Sequence, residues 1–311
     1  GSEMCIRDRS QIVVTCGAKQ ALFNLCIALL GPGDEAIVPA PYWVSYPDMV
    51  RLAEAEPVIV SGGIEQDFKI TPEQLTAALS DQTRLIFLNS PCNPTGASYS
   101  ESEMQALGAT LGDYPDVVIV ADDIYEHIHW DDQPFVSMAA ACPALADRIV
   151  TTNGVSKAYA MTGWRIGYAA GPEALIRAMI TVQSQSTTNP CSVSQAAAVA
   201  ALTGDQTCIA EMVKAYRARH DYVVPALNAI PGFECRPGEG TFYAFPRVQQ
   251  AIEACGLEDD VEFTEFLLNE ADVAVVPGTA FGAPGYIRLS FACAMEDLEE
   301  SVQRINRAVP A

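Results

Sequence analysis

Residues 85–122, LIFLNSPCNPTGASYSESEMQALGATLGDYPDVVIVAD, contain the pattern that decides the fold. Two short, continuously apolar runs at residues 85–88 and 117–120 flank a segment with a helix-capping signal, Ser100 followed by Glu103. Strands buried on both faces have this composition, and a helix between two of them is typical of a parallel crossover. The stretch therefore predicts a strand–helix–strand unit of an α/β fold.

The same alternation extends in both directions along the chain. Further strand candidates lie at residues 12–15, 36–38, 57–60, 149–151 and 166–169, and helical patterns lie at 18–30 and after Thr71. These elements predict an α/β domain over residues 11–205, a mostly parallel seven-stranded sheet with helices on both faces. A long helix at 205–229, strands at 241–245 and 286–290 and a helix near 261–270 predict a smaller α+β domain over 206–311.

Composition narrows the class of protein and its partners. Half of the 311 residues are hydrophobic, and 18 basic against 39 acidic residues leave a net charge of −21. Such a chain is globular and repels phosphate backbones and anionic lipid, so neither nucleic acid nor a membrane is an expected partner. Ten scattered cysteines without a C-x-x-C pair indicate free thiols in a reducing cytoplasm. Residues 1–10 lack periodicity and are interpreted as an artefact or tag, with the true N-terminus missing.

Polar residues follow several of the predicted strands, where open α/β sheets bind ligands. Gly17, Ala18 and Lys19 open a helix after the first strand, which suits either an anion site or a tight turn. Asp122 ends a buried strand, so it either meets a cation or caps a helix. Lys157, one of four lysines, lies among small and apolar residues that would lower its pKa and favour Schiff-base chemistry, unless it reaches solvent.

The run from Ser156 to Gly167, SKAYAMTGWRIG, resembles the lysine signature of class I aminotransferases, a fold-type I pyridoxal-phosphate family. The other family motifs occur in the family's order: GAK at 17–19, PYW at 41–43, NPTG at 93–96, D-x-x-Y at 122–125 and YIRLS at 286–290. The resemblance covers Ile12 to the C-terminus. It is strongest to the bacterial aspartate and aspartate/prephenate aminotransferase subgroup.

The resemblance implies pyridoxal 5'-phosphate as the cofactor and a role for each matched residue. The catalytic residues would be Lys157, which forms a Schiff base and moves the substrate's α-proton, Asp122, which keeps the pyridine nitrogen protonated, and Tyr125. The implied cofactor-binding residues are Gly17, Ala18, Lys19, Trp43, Asn93, Asp122, Tyr125, Ser156, Lys157 and Arg165. The implied substrate-binding residues are Lys19, Trp43, Asn93 and Arg288, with Arg288 on the α-carboxylate and Lys19 on a distal carboxylate.

The chain also departs from the family pattern. Gly154 stands where the family often has a serine that contacts the cofactor phosphate. The family's N-terminal segment, which supplies a glycine near the substrate and a tyrosine that reaches the neighbouring subunit, has no counterpart in this sequence. The resemblance otherwise implies a homodimer that converts an amino acid, aspartate or glutamate, and a 2-oxo acid.

Other interpretations of the sequence remain open. Another fold-type I enzyme, either of a different reaction class such as a β-lyase or an aminotransferase for aromatic or neutral substrates, would share the same lysine. A non-catalytic aminotransferase-like effector domain is the third possibility. His127 and His129 with Asp131 and Asp132 are interpreted as polar residues at a strand edge, so no metal is expected.

Overall fold

The computed structural model describes residues 8–130 and 134–310. The strands of this part of the chain are β1 (Ile12–Thr15), β2 (Glu35–Ala40), β3 (Glu56–Ser61), β4 (Thr83–Asn89), β5 (Val118–Asp122), β6 (Ile149–Gly154), β7 (Gly167–Ala170), β8 (Tyr243–Ala244), β9 (Val276–Pro277) and β10 (Ile287–Ser290). The helices are α1 (Ala18–Leu29), α2 (Ser45–Leu52), α3 (Pro72–Ala78), α4 (Glu101–Gly112), α5 (Met138–Ala141), α6 (Glu173–Ser184), α7 (Ser192–Thr203), α8 (Thr207–Asn228), α9 (Gln249–Ala254), α10 (Asp260–Ala271) and α11 (Met295–Ala308).

Local capping signals set the starts of two helices on the sheet. The Thr71 hydroxyl accepts from the Gln74 amide and the Gln74 side chain bonds back to Thr71, which is the predicted capping box at the start of α3. Ser100 and Glu103 form the same reciprocal pair at the start of α4. Both helix starts therefore follow from side chains within three residues of each other.

The large sheet has seven strands in the order β1-β7-β6-β5-β4-β2-β3. Strands β2 to β6 pair in parallel, and only β7 runs antiparallel, against both β1 and β6. Side chains of β4 alternate between the two faces: Leu85 and Phe87 join one apolar cluster, while Ile86 and Leu88 join the other. The mostly parallel sheet with helices on both faces is thus confirmed.

A second, three-stranded sheet has the order β8-β10-β9, with β10 antiparallel to both neighbours. Its own apolar cluster includes Phe263, Leu289 and Ile305. The strand predicted at residues 241–245 is only two residues long, because Thr241 has a φ of +67° and donates its amide to Ile128 rather than to the sheet. The division into domains at residues 205 and 206 stays a prediction.

Three polar residues lie side by side where the central strands of the large sheet end. Asn89 of β4 is paired with Asp122 of β5, which is paired in turn with Thr152 of β6. Because parallel strands end at the same edge of a sheet, the loops after β4, β5 and β6 all meet there. This edge carries the candidate site.

Three other expectations concern the chain as a whole. Within the two described ranges, no helix has the length and hydropathy needed to cross a bilayer. Nine cysteines of the described residues are free thiols, and Cys5 lies outside them. Most of the segment interpreted as an artefact or tag, residues 1–7, also lies outside the described residues.

Candidate active site

A cavity of about 380 Å³ opens at the carboxyl edge of the large sheet and reaches across to the small sheet. Its walls come from both sheets and from the loops between them. The residues that line it are Ala18, Lys19, Leu22, Trp43, Asn89, Asn93, Asp122, Ile124, Tyr125, Ser156, Lys157, Thr162, Arg165, Tyr243 and Arg288. Every residue predicted for the site lines this cavity except Gly17, which lies directly behind it against Arg165.

Asp122 lies at the end of β5 with only 4% of its surface exposed. Its Oδ2 accepts a 2.6 Å hydrogen bond from the Tyr46 hydroxyl, and its Oδ1 a longer one of 3.4 Å from the Thr152 hydroxyl. Burial raises the pKa of Asp122, and the hydrogen bond from Tyr46 is the largest of the effects that lower it again. The arrangement holds a buried carboxylate that a cationic ligand would stabilise further.

Lys157 occupies the loop after β6 and lines the same cavity as Asp122. Its Nζ lies 5.5 Å from the ring centre of Tyr125 and 5.4 Å from that of Phe242. Burial lowers the pKa of Lys157, as do the charges of Arg288 and Arg165, while Asp122 opposes them. A lowered pKa increases the neutral fraction of the amine at any given pH, and the neutral amine is the form that attacks a carbonyl carbon.

Gly17 and Arg165 form a cradle beside the start of α1. Gly17 has a φ of +82°, and a Cβ built on it would lie 2.2 Å from Nη2 of Arg165, so a side chain at this position would displace the guanidinium. Ala18 and Lys19, the first residues of α1, line the cavity next to Arg165. A helix start and a guanidinium on one wall make a site for an anion such as a phosphate.

The opposite wall carries Arg288 on β10. Its guanidinium lies 4.4 Å from the ring centre of Tyr243 and 4.8 Å from that of Phe281, and its Nη1 donates to Oδ1 of Asn93 at 2.9 Å. Its Nε is buried without a hydrogen-bond partner. A buried N–H without a hydrogen-bond acceptor destabilises the folded protein, and a carboxylate ligand would supply the acceptor.

Tyr125, Trp43, Lys19 and Ser156 complete the predicted set. The hydroxyl oxygens of Tyr125 and Tyr243 lie 3.2 Å apart, and both side chains are buried. The Nζ of Lys19 lies 4.8 Å from the ring centre of Trp43 at the mouth of the cavity. Ser156 is buried next to Lys157 on the same wall.

Packing explains the glycine at position 154. A Cβ on Gly154 would lie 2.7 Å from the carbonyl oxygen of Ile166 and 3.0 Å from Cα of Gly167. No side chain fits between β6 and β7 at this point without a shift of backbone. The close approach of the two strands therefore excludes the serine that the resemblance would lead us to expect at this position.

Sequence reasoning missed three residues of this region. Tyr46 of α2 bonds Asp122, Tyr243 of β8 meets Tyr125, and Asn89 of β4 donates to the Asp122 carbonyl at 2.7 Å. Asn89 is the last residue of β4, and a polar residue at the end of a buried strand is a signal that the sequence does carry. The other two belong to aromatic motifs whose spacing carries no information about what each hydroxyl contacts.

The histidine pair at residues 127 and 129 lies outside this cavity. His127 Nε2 lies 3.3 Å from a carboxylate oxygen of Glu126, and Asp131 and Asp132 lie outside the described residues. Among residues 8–130 and 134–310, no group of three or more histidine, cysteine, aspartate or glutamate side chains could hold a metal ion.

The model of the family described as aminotransferase class I and II matches residues 2–305. The chain is 53% identical over 301 residues to an aspartate/prephenate aminotransferase of Nitrosomonas europaea, an alignment that covers 95% of this chain and 76% of the relative.

Solved structures of aspartate aminotransferases have the same fold. The crystal structure of the Rhizobium meliloti enzyme superposes with a TM-score of 0.93 at 46% identity, covering 97% of this chain and 77% of that chain. The Thermus thermophilus enzyme with maleate superposes with a TM-score of 0.88 at 41% identity, covering 96% of this chain and 76% of that chain.

Proposed function

Because this chain belongs to the aminotransferase class I and II family, we propose that it moves the amino group of aspartate or glutamate to a 2-oxo acid with pyridoxal 5'-phosphate as cofactor. The observation that carries the proposal is that Lys157, Asp122 and Arg288 line one cavity. A nucleophilic amine, a buried carboxylate and an arginine with an unmet donor are the groups that amino-acid chemistry on this cofactor requires.

The residues of the cavity fit the cofactor at each of its polar groups. Asp122 is buried, so a protonated ring nitrogen would supply a cation to pair with it, and Tyr125 offers a phenol to the ring oxygen. Ala18, Lys19 and Arg165 line the cavity at the start of α1, where they would hold a phosphate. When bound, the cofactor supplies an electron sink that stabilises negative charge at the substrate's α-carbon.

The protein's own groups position the reactants and move the proton. Lys157, when neutral, would take the proton from the substrate's α-carbon and deliver it to the carbon of the cofactor that was its aldehyde carbon, and burial favours the neutral form by lowering the pKa of Lys157. Asp122 holds a positive charge at the ring nitrogen by its buried negative charge. Trp43 and Asn93, which line the cavity, would hold the planar ring of the cofactor.

The proposed substrate is dicarboxylic. Arg288 binds the α-carboxylate with a planar pair of donors, and Lys19 at the mouth of the cavity binds the distal one. The Thermus thermophilus relative was solved with maleate, a dicarboxylate, and the Nitrosomonas europaea relative is named for aspartate and prephenate. We extend the proposal to prephenate as an acceptor, because it also carries a second carboxylate.

We further propose that the protein is a homodimer and acts in the cytoplasm. Helix α7 exposes apolar side chains: Val193 and Val199 are 65% and 60% exposed, while Ser194 and Ala198 of the same helix are buried. An exposed apolar patch is often an interaction site, and a second copy of the chain would cover this one. Light scattering of the purified protein tests the dimer.

The proposed location in the cytoplasm rests on the cysteines. Those of the described residues are free thiols, which supports a reducing compartment.

The decisive experiment combines Lys157→Ala with a single half-reaction. The unaltered protein, loaded with pyridoxal phosphate, should absorb in the visible range and lose that absorbance when aspartate is added without an acceptor. Lys157→Ala should show no such lysine-linked absorbance, whereas Lys214→Ala on the exposed part of α8 should behave as the unaltered protein. Release of ammonia and pyruvate from cysteine, whose β-thiol can leave, together with no loss of absorbance on addition of aspartate, would indicate a β-lyase and refute the proposal.

A further inference from the structure

The Tyr46 hydroxyl is the strongest hydrogen-bond donor to Asp122. It lies 2.6 Å from Oδ2, while the Thr152 hydroxyl lies 3.4 Å from Oδ1. Among the effects that favour the charged carboxylate, the Tyr46 hydrogen bond is the largest, ahead of the Ile124 amide, Thr152 and the charge of Lys157. Burial disfavours the charged form of Asp122, and the hydrogen bond from one phenol is the main effect that opposes burial.

The ring of Tyr46 is held so that its hydroxyl cannot turn away. Tyr46 is 2% exposed on α2, its ring stacks on Phe87 of β4 at 4.6 Å, and Trp43 meets it edge-on at 5.5 Å. Burial and the neighbouring Asp122 charge raise the pKa of Tyr46 well above its usual range, so the phenol keeps its proton. A fixed, protonated phenol acts only as a donor toward Asp122.

We propose that Tyr46 is a positioning residue that keeps Asp122 ionised and in place for the cofactor's ring nitrogen. The inference rests on the proposed function, since it concerns how Asp122 is prepared for that cofactor. Tyr46 also joins two parts of the site, because the ring beside it, Trp43, lines the cavity as well. Tyr46 thus packs against Trp43 and donates a hydrogen bond to Asp122, the two groups that would face the cofactor.

The test is Tyr46→Phe in the full chain, which keeps the ring packing and removes the hydroxyl. Loss of a hydrogen bond to the charged form raises the pKa of Asp122, so this carboxylate takes up its proton at a higher pH. In the cofactor-free protein, the infrared carboxyl band that disappears in Asp122→Asn should therefore titrate at a higher pH in Tyr46→Phe. The dissociation constant for pyridoxal phosphate should rise about tenfold at acid pH.

Two further variants make the result specific. Thr152→Val removes the longer bond to the same carboxylate and should shift the titration in the same direction by less. Tyr99→Phe removes the hydroxyl of a half-buried tyrosine, which accepts a 2.9 Å hydrogen bond from the Ile70 amide instead of bonding Asp122. This variant should leave the titration of Asp122 unchanged. If Tyr46→Phe fails to fold, a shift in Thr152→Val still supports the dependence on these donors, and no shift there overturns it.

The outcomes separate this inference from the proposed function. If the unaltered protein binds no pyridoxal phosphate, the proposed function fails. If it binds the cofactor, but the Asp122 titration and the acid-pH dissociation constant are the same in Tyr46→Phe as in the unaltered protein, only the role of Tyr46 is overturned.

Discussion

The two ends of the cavity differ in whether their charged side chains already have hydrogen-bond partners within the protein. At the large sheet, Asp122 already has its hydrogen bonds, from Tyr46 and Thr152, before any ligand is considered. At the small sheet, Arg288 rests between two aromatic rings with a buried Nε that has no partner. The first end is complete and suits a resident cofactor, whereas the second end has an unmet donor and suits a substrate that comes and goes.

A short hydrogen-bonded path joins the two ends. Asn89 donates to the Asp122 carbonyl at 2.7 Å and accepts from the Asn93 amide at 2.8 Å, and Asn93 accepts from Arg288 at 2.9 Å. The loop after β4 therefore sets the distance between the carboxylate and the guanidinium. The contrast between the ends can be tested with variants that alter one end at a time.

The largest effect is expected at the complete end. Asp122→Asn keeps the side chain's shape but leaves a cationic ring nitrogen without its buried partner. Breaking such a pair costs about 3–5 kcal/mol, so the turnover rate should fall roughly a hundredfold to several thousandfold. The measurement is oxaloacetate formation from aspartate, with circular dichroism to confirm the fold. Turnover within tenfold of the unaltered protein would contradict the role of Asp122.

A smaller effect is expected at the substrate end. Arg288→Lys keeps the charge but loses the paired donors, and a hydrogen bond to a charged group contributes about 1.5–3 kcal/mol. The ratio kcat/KM for aspartate should fall about 10- to 100-fold, while cofactor absorbance stays unchanged. Arg247→Lys, in a half-exposed ion pair with Glu234, serves as the matched control and should change neither quantity.

Removing the two charges should shift the pKa of Lys157 in opposite directions. Arg288 lowers this pKa and Asp122 raises it, so Arg288→Gln should raise it and Asp122→Asn should lower it further. The neutral amine is the form that captures the cofactor, so the rate of capture by cofactor-free protein rises with pH. Its midpoint should therefore move to higher pH in Arg288→Gln and to lower pH in Asp122→Asn. A shift of both midpoints in one direction would refute this account.

The smallest effect is expected at the mouth of the cavity. Lys19 is exposed, and an ion pair in such a place contributes about 0.2–1 kcal/mol. Lys19→Met should therefore lower kcat/KM for aspartate about two- to fivefold and leave that for alanine unchanged, in parallel assays with one acceptor. Equal losses for both amino acids would mean that Lys19 does not bind the distal carboxylate.

Much of the site could be predicted from sequence because it follows strand ends. Asp122 is the last residue of β5 and Lys157 lies three residues beyond the end of β6, and neighbouring parallel strands end at the same edge of the sheet. Tyr46 could not be found this way. It lies within a helix of mixed composition, where spacing indicates a buried face but not which hydroxyl meets which carboxylate.

The sequence by itself determined the alternation of strands and helices and the starts of α3 and α4, because capping and apolar periodicity act between residues a few positions apart. Only the tertiary structure decided that Tyr46 bonds Asp122, 76 positions away, and that Arg288 bonds Asn93, 195 positions away. Contacts over such separations depend on the order in which the strands pair and on the approach of the small sheet, which no local pattern encodes.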